Sequence, residues 1–429
     1  MRGLFRFSVS PFLRFVVAIM LFSLSGTASA EEPLVLQTLI DAALRNNHDV
    51  LIAESKWRAS THKIVQAESL PDPMVMIGYQ NEGWNEYTFG QMEGAQWMYG
   101  LSQMFPFPGK RSLKGEMASQ DAEGAGEEYR AVRLRTIARV KELYFDLFLA
   151  YRDLDLVSDK AALFSRIEAA ALGRYAAGMA PQQEVLMAQT EKYMLAERET
   201  MLRQKVSSTE AMLASVLGET PETPLARPAE PAMTPFAYGR DELIEAAMDR
   251  SPEVRSRQRM QAAAQAKVRM AEKEYFPDMT LAATVFKRSG EFEDMWSVTA
   301  TFNIPLYWGT KRSTVSETMS QSESTLHDLA GTKVMLTSGI RDSYSMLKTA
   351  EKLMDLYKQG LIPKTSQDFE SALTGYRSGK VEAITVINRL KILLDYETLY
   401  WAQFVEREKA IARLEALTAI AEPAERRGE

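Results

Sequence analysis

Four methionines fall at alternating positions in two neighbouring apolar segments, at Met74, Met76, Met98 and Met104. Alternate residues of a β-strand share one face, so the pattern predicts that the four thioethers lie on one side of a hairpin. A thioether is a soft ligand that suits Cu(I), and this face is therefore a weak candidate for contact with a metal ion. The alternative is that methionine fills irregular space, since a second hairpin of the chain carries Ser and Thr at the equivalent positions.

No pattern in the sequence is typical of a catalytic or cofactor site. The chain has no cysteine, which excludes thiolate metal sites, disulfides and a cysteine nucleophile. Its histidines, His48, His62 and His327, are scattered, and there is neither a glycine-rich phosphate loop nor a His-Glu-x-x-His motif. Asp and Glu on the predicted helices are explained by solvated faces. We therefore predict that the protein is not an enzyme, needs no cofactor and has no firm metal site.

The methionines belong to the first of two predicted β-hairpins, which cover residues 74–105 and 279–304. In the second hairpin, apolar residues alternate with Ser, Thr and Asn from Trp296 to Ile304. Strands of about nine to eleven residues with one apolar face are typical of transmembrane barrels. The alternative is an amphipathic hairpin on a soluble core.

Most of the remaining chain shows the spacing of apolar residues that indicates helices. No proline falls between Ser112 and Tyr175, and a helix of that length would span roughly 95 Å. Such a rod needs neighbours to bury its apolar stripe, so the sequence predicts a bundle or coiled coil. The chain is expected to turn near Gly178 and again near Gly379, and its second long helix to be irregular near Pro363.

The second half of the chain repeats the plan of the first, with matching positions about 200 residues apart. Helices, a hairpin and a long helix pair occupy residues 31–218 in the first repeat and 239–419 in the second. A proline-rich linker at 219–238 joins them, and a charged tail follows at 420–429. The pattern indicates an internal tandem duplication and an α+β fold of mostly long α-helices with two β-hairpins.

Residues 1–30 have the pattern of a secretory signal peptide. Three arginines precede an apolar run from Phe15 to Leu24, and Ala28-Ser29-Ala30 is a small-residue cleavage pattern. Its removal changes the formal charge from −6 to −9, and a mildly acidic exported chain argues against nucleic acid as a partner. Without cysteine, no lipid anchor is expected at an N-terminal cysteine.

Four features together resemble the TolC-like outer-membrane efflux proteins over almost the whole mature length. They are the duplicated plan, a Pro-Asp pair before each hairpin, a Lys-Arg pair after each, and a turn motif. The turn motif contains Tyr175, Gly178 and Glu184 in the first repeat, and Tyr376, Gly379 and Thr385 in the second. Within the family, Phe105 to Arg111 and the Leu-Pro-Asp-Pro segment at 70–73 look most like the heavy-metal branch, the CusC/CzcC type.

The resemblance implies a homotrimer. Each subunit would give four strands to one twelve-stranded transmembrane β-barrel in the outer membrane, and its helices to a coiled-coil periplasmic tunnel. Such a protein conducts substrate passively, heavy-metal cations in this branch, from a periplasmic adaptor (membrane fusion) protein and an inner-membrane RND pump to the exterior of a Gram-negative cell.

The resemblance also implies a periplasmic gate and adaptor-contact tip at the two helical turns. Its residues would be Tyr175, Gly178, Glu184, Tyr376, Arg377, Gly379, Lys380 and Thr385. The family commonly carries an aspartate where this chain has Thr385, so an acidic constriction would depend on Glu184. Arg377 and Lys380 could pair with Glu184 of a neighbouring subunit. The two tyrosines either fill the helix seam or hold the tip closed through hydrogen bonds.

Other functions are compatible with parts of this pattern. The same fold could serve multidrug efflux or type I protein secretion. A periplasmic coiled-coil adaptor or scaffold without a barrel is a different class. It would be expected to carry lipoyl-like or compact barrel domains, and the sequence shows none.

Overall fold

The two halves of the protein contain the same order of helices and strands, except that a π-helical turn divides the long helix of the second half. A computed structural model describes residues 33–220 and 225–420, so the predicted signal peptide and nearly all of the tail lie outside the described residues. The first half contains α1 (Leu36–Asn46), α2 (His48–Glu68), β1 (Met74–Gln80), β2 (Gln96–Phe105), α3 (Lys110–Ala176) and α4 (Gln182–Leu217). The second contains α5 (Arg240–Arg250), α6 (Pro252–Lys273), β3 (Met279–Lys287), β4 (Met295–Phe302), α7 (Trp308–Leu356), a π-helical turn (Tyr357–Leu361), α8 (Ile362–Arg377) and α9 (Ala383–Thr418).

The strands form one antiparallel sheet in the order β1-β2-β3-β4. The two hairpins are joined because β2 pairs with β3, from Trp97 opposite Lys287 to Phe105 opposite Met279. Local alternation predicts each hairpin but gives no signal for this long-range pairing. Strands β1 and β4 form the two edges of the sheet in this chain, and edge strands present unpaired backbone groups.

The long helix α3 organises the helical part of the chain. Its 67 residues span about 100 Å at 1.5 Å per residue. It contacts α2, α4, α6 and α9, and its stripe of Val140, Leu143, Leu147 and Ala150 is buried. Apolar burial of this kind contributes about 25 cal/mol per Å². Within the described residues, no helix combines the length and the apolarity needed to cross a membrane.

The second long helix is irregular where the sequence predicts it. Helix α7 ends at Leu356, the π-helical turn follows, and Pro363 lies in the first turn of α8. Proline lacks an N–H group and its ring crowds the carbonyl four residues earlier. A wider turn before Pro363 relieves that crowding, so the prediction of an irregularity is confirmed.

The linker after the first repeat is bound to the bundle. We call residues 225–239 the strap. Arg407 donates a hydrogen bond to the Thr234 carbonyl at 2.9 Å, and Glu408 accepts one from the Thr234 N–H at 3.2 Å. Arg407 and Glu408 pair with each other and are buried. The hydroxyl of Tyr144 donates to another strap carbonyl at 3.1 Å, so the strap ties α3 to α9.

Candidate functional site

One face of the sheet is apolar across its width. Val75 is 73% exposed and Trp296 is 78% exposed. A contiguous exposed apolar surface marks contact with a membrane or with another protein. Two complete rows of this face consist of Val75, Leu101, Ala283 and Val298, and of Ile77, Tyr99, Val285 and Trp296.

The opposite face carries small and polar residues together with all four predicted methionines. Met76 lies opposite Gly100, and Met98 lies opposite Gly78. A Cβ atom at Gly78 would lie 3.0 Å from Cε of Met98, and one at Gly100 would lie 3.1 Å from Cε of Met76. The methionine methyl groups therefore occupy the space that the two glycines leave, which is a packing role.

A buried ion pair joins the end of β2 to the start of β3. The Lys110 ammonium lies 2.9 Å from Oδ1 of Asp278 and 3.1 Å from the Phe276 carbonyl oxygen. The same Asp278 oxygen accepts a hydrogen bond from the Phe107 N–H at 2.7 Å, and the Phe107 and Phe276 rings stack at 4.6 Å. Burial raises the pKa of Asp278, but the bonds from Lys110 and Phe107 outweigh it and lower that pKa below its usual value. We call these four residues the clasp.

At the other end of the rod, both long helical segments end in the same kind of turn. Gly178 has a φ of 70° and Gly379 a φ of 75°, a left-handed conformation that favours glycine. In each turn the N–H of the residue after the glycine donates to the carbonyl five residues earlier at 2.9 Å. This is the hydrogen bond of a Schellman motif, and it lets the chain reverse into α4 and α9.

Tyr376 fills the space between the two turns. It is 2% exposed, and its hydroxyl lies 3.5 Å from Oε2 of Glu184. The Arg174 guanidinium lies 4.7 Å from the centre of the Tyr376 ring and donates to the Tyr376 carbonyl at 3.1 Å. Burial, followed by the charge of Glu184, raises the pKa of Tyr376, so its hydroxyl stays a donor. We call Arg174, Glu184 and Tyr376 the tip seam, because they join α3, α4 and α8.

The sequence matches a known family over most of its length. A family model described as outer membrane efflux protein matches residues 39–219 and 243–388. The chain belongs to the outer membrane efflux protein family. The TolC-like resemblance predicted from the sequence is confirmed, and members of this family are channel proteins.

Similar proteins support the heavy-metal branch of the family. The chain is 21% identical over 378 residues to the cobalt-zinc-cadmium resistance protein CzcC of Cupriavidus metallidurans, a match that covers 86% of each chain. It is 24% identical over 295 residues to the nickel-cobalt-cadmium resistance protein NccC of Alcaligenes xylosoxydans xylosoxydans, covering 68% of this chain and 65% of NccC. The crystal structure of CusC matches with a TM-score of 0.79 at 17% identity, covering 92% of this chain and 95% of CusC.

In this efflux protein the residues predicted for the tip lie at the two turns but in unlike surroundings. Glu184, expected from the sequence to form an acidic constriction, is buried against Tyr376 of its own chain. Tyr175 is 44% exposed, and Arg377 and Lys380 are exposed. Pairing of Glu184 with either cation of a neighbouring subunit stays a prediction.

Thr385 and Arg174 also lie at the tip. Thr385 is half-buried, and its N–H donates to the Glu382 carbonyl at 3.1 Å at the start of α9. Sequence reasoning missed Arg174. Its position in the last turn of α3, where cations are favoured, was a signal that could have identified it.

The methionine face gives a first prediction. Replacing Met74, Met76, Met98 and Met104 together by leucine is expected to leave resistance to copper unchanged in cells with normal protein levels. Leucine conserves the volume that fills the space over the glycines. Loss of copper resistance at normal protein levels would instead indicate that the thioethers bind copper.

Sequence reasoning also missed a buried carboxylate on the long helix. Asp153 is 8% exposed, and its Oδ1 has no hydrogen-bond partner. Burial raises the pKa of Asp153 to about 6, although Lys205 and Arg198 of α4 favour the charged form. An aspartate in a helical heptad pattern gives no sign of burial. The free-energy cost of burying the Asp153 carboxylate becomes apparent only from the packing of α3 against α4.

The second prediction follows from this raised pKa. The folded state binds the proton more tightly than the unfolded state, so the destabilisation by Asp153 is absent below pH 4, grows from about pH 4 to 6, and is complete above it. Asp153→Asn is therefore expected to raise the stability at pH 7.5 by about 2–3 kcal/mol, and by much less at pH 4. Thermal unfolding at the two pH values measures this.

A nearby aspartate provides the control for this prediction. Asp155 forms a partly exposed ion pair with Arg227 of the strap, and such pairs contribute at most about 1 kcal/mol. Asp155→Asn is expected to leave the melting temperature at pH 7.5 unchanged or to lower it slightly. Equal melting temperatures for Asp153→Asn and the wild type at pH 7.5 would refute the assigned cost.

Proposed function

We propose that three copies of this chain form the outer-membrane exit duct of a tripartite RND-type efflux system. The observation that supports this is an apolar-faced sheet with two open edges, joined directly to a helix about 100 Å long. Open sheet edges are not tolerated in lipid. Three copies placed edge to edge would remove all edges and form one twelve-stranded barrel.

In this proposal the parts of the chain have separate tasks. Residues 1–30 direct export and are removed, without a lipid anchor replacing them. The duplicated repeats, 31–218 and 239–419, each supply a hairpin (74–105 and 279–304) to the barrel and a helix pair to the periplasmic tunnel. The linker at 219–238 joins the repeats, and the tail at 420–429 follows them. The turns near 178 and 379 form the periplasmic gate and the surface that meets an adaptor protein.

The proposed substrates are divalent heavy-metal cations. The names of CzcC and NccC both refer to cobalt and cadmium resistance, and the duct itself requires no metal ligands because it conducts passively. The specificity would then lie mainly in the inner-membrane pump. Multidrug efflux and type I protein secretion are the alternatives that use the same duct.

Fractionation of cells that express the full-length chain tests the duct. We expect the protein in the outer membrane, as a trimer whose mobility on a denaturing gel changes on heating. A soluble periplasmic monomer would overturn the proposal and favour a coiled-coil scaffold without a barrel.

Deletion of the gene in its own host tests the substrate. The deletion strain is expected to become sensitive to cobalt and cadmium salts, and to regain resistance with the intact gene on a plasmid. Sensitivity to hydrophobic drugs alone, or loss of one secreted protein alone, would instead favour one of the alternatives.

A further inference from the structure

Each repeat carries the two charged residues of a clasp, an aspartate and a lysine, but among the described residues only one such pair closes inside the chain. The sequence Pro-Asp precedes β1 at Asp72 and β3 at Asp278. The sequence Lys-Arg-Ser follows β2 at Lys110 and β4 at Lys311. Lys110 and Asp278 meet because β2 and β3 are neighbours in the sheet.

The remaining two residues lie at opposite edges of the sheet. Asp72 is exposed beside the edge strand β1, and within residues 33–220 and 225–420 its carboxylate forms no hydrogen bond or ion pair. Lys311 lies near the start of α7, beside the edge strand β4, and is half-buried. Its ammonium is 3.3 Å from Glu274, a residue that also lies 3.7 Å from Lys110. Asp72 therefore lacks the cation that its counterpart Asp278 has.

We infer that a second copy of this chain completes the clasp, with Lys311 of one copy paired to Asp72 of the next. The two residues are brought together when β4 of one copy lies beside β1 of the next, as β2 lies beside β3 within the chain. The inference rests on the proposed trimer. It identifies the side chains that hold β4 of one copy beside β1 of the next. A trimer would then contain clasps within chains and clasps between chains in alternation around the barrel rim.

The clasp between copies differs from the one within a chain in its apolar residues, which are Leu70 and Leu306 in place of Phe276 and Phe107, and in the spacing of its lysine. Three residues separate Pro106 from Lys110, whereas five separate Pro305 from Lys311, and α7 begins at Trp308, before its lysine. Lys311 therefore lies inside the first turn of its helix, whereas Lys110 is the first residue of its helix. This clasp depends on charge pairing across the boundary between two chains, and reversing the charges should change which chains assemble.

Co-expression of two charge-reversed chains tests the inference. Chains with Asp72→Lys and chains with Lys311→Asp carry different affinity tags, and native mass spectrometry counts the trimers. Every contact in either homotrimer sets like charges opposite each other, whereas mixed trimers restore opposite charges at two of three contacts. We expect homotrimers to be depleted roughly tenfold relative to two differently tagged wild-type chains.

An ion pair within one chain provides the matched control. Lys287 and Asp294 pair at 2.7 Å beside the β3–β4 loop, so chains with Lys287→Asp and with Asp294→Lys should mix statistically. Statistical mixing of the Asp72 and Lys311 variants would overturn the clasp between copies while leaving the proposed trimer intact. A wild-type chain that is monomeric in the membrane would overturn both.

Discussion

Replacement of Asp278 by alanine is expected to lower the free energy of unfolding by about 3 kcal/mol, because it removes the nearest counter-ion of a buried ammonium group. Lys110 is 2% exposed. Without Asp278 it keeps only the Phe276 carbonyl at 3.1 Å and Glu274 at 3.7 Å. The Phe107 N–H also loses its acceptor. Chemical denaturation of the purified protein, followed by circular dichroism, measures the change.

The pH dependence of this contribution has a defined sign. The folded pKa of Asp278 is lowered, so its stabilisation is fully present above the usual pKa of an aspartate and is lost as the pH falls through the lowered value. The difference between wild type and Asp278→Ala should therefore shrink in acid. A difference that grew as the pH fell would contradict the assigned role of the ion pair.

Two variants control for a general loss of charge. Asp294→Ala breaks an exposed pair with Lys287 and should destabilise the protein far less, because solvent screens that pair. The double change Lys110→Met with Asp278→Leu should recover part of the loss, since a buried ion pair can be replaced by apolar residues of similar volume. Equal destabilisation by Asp278→Ala and Asp294→Ala would rule out the clasp as a stabilising feature.

The second large effect is expected at the tip seam, where Glu184→Ala should raise the ion conductance of the reconstituted pore and weaken its preference for cations. The change leaves the buried Tyr376 hydroxyl without its acceptor, a contact that is weak because 3.5 Å is long for a hydrogen bond. Each 1.4 kcal/mol by which this contact favours a closed tip over an open one shifts that population about tenfold. Single-channel recording in planar bilayers measures both quantities.

The two tyrosines allow a matched comparison. Tyr376→Phe removes the hydroxyl that lies 3.5 Å from Glu184 and should raise the conductance in the same direction, but less, because 3.5 Å is long for a hydrogen bond. Tyr175→Phe, at the repeat-related and exposed position, should leave it unchanged. If Glu184→Ala altered neither conductance nor ion preference, Glu184 would have no part in the gate.

Local features of this fold were predictable from the sequence because they follow from residue periodicity. The alternation from Val75 to Tyr79 predicts a strand with one apolar face, and Gly178 and Gly379 mark the turns through their left-handed backbone. Pairing between residues far apart was not predictable in the same way. The ion pair of Lys110 with Asp278 depends on two hairpins becoming one sheet, and nothing local to either residue indicates it.

At the candidate site, too, local features were predictable from the sequence and contacts between distant residues were not. The turn motif places Tyr175 and Tyr376 at equivalent positions, and the sequence alone assigns them equivalent roles. The structure separates them because Tyr376 packs against Glu184 and Arg174 of the same chain, whereas the residue equivalent to Glu184 in the second repeat is Thr385. The difference between a carboxylate and a hydroxyl was visible in the sequence, but its consequence for burial was not.

The strap sets a mechanical limit on how the rod can bend. It is tied to Tyr144, near the midpoint of α3, and to Arg407 and Glu408 of α9. A long helix that is held at its middle bends as two shorter segments, each about 50 Å long for α3. If the contacts of the tip seam at Tyr376 were lost, the half of α3 that leads to the turns would bend. The half that leads to the sheet would not move.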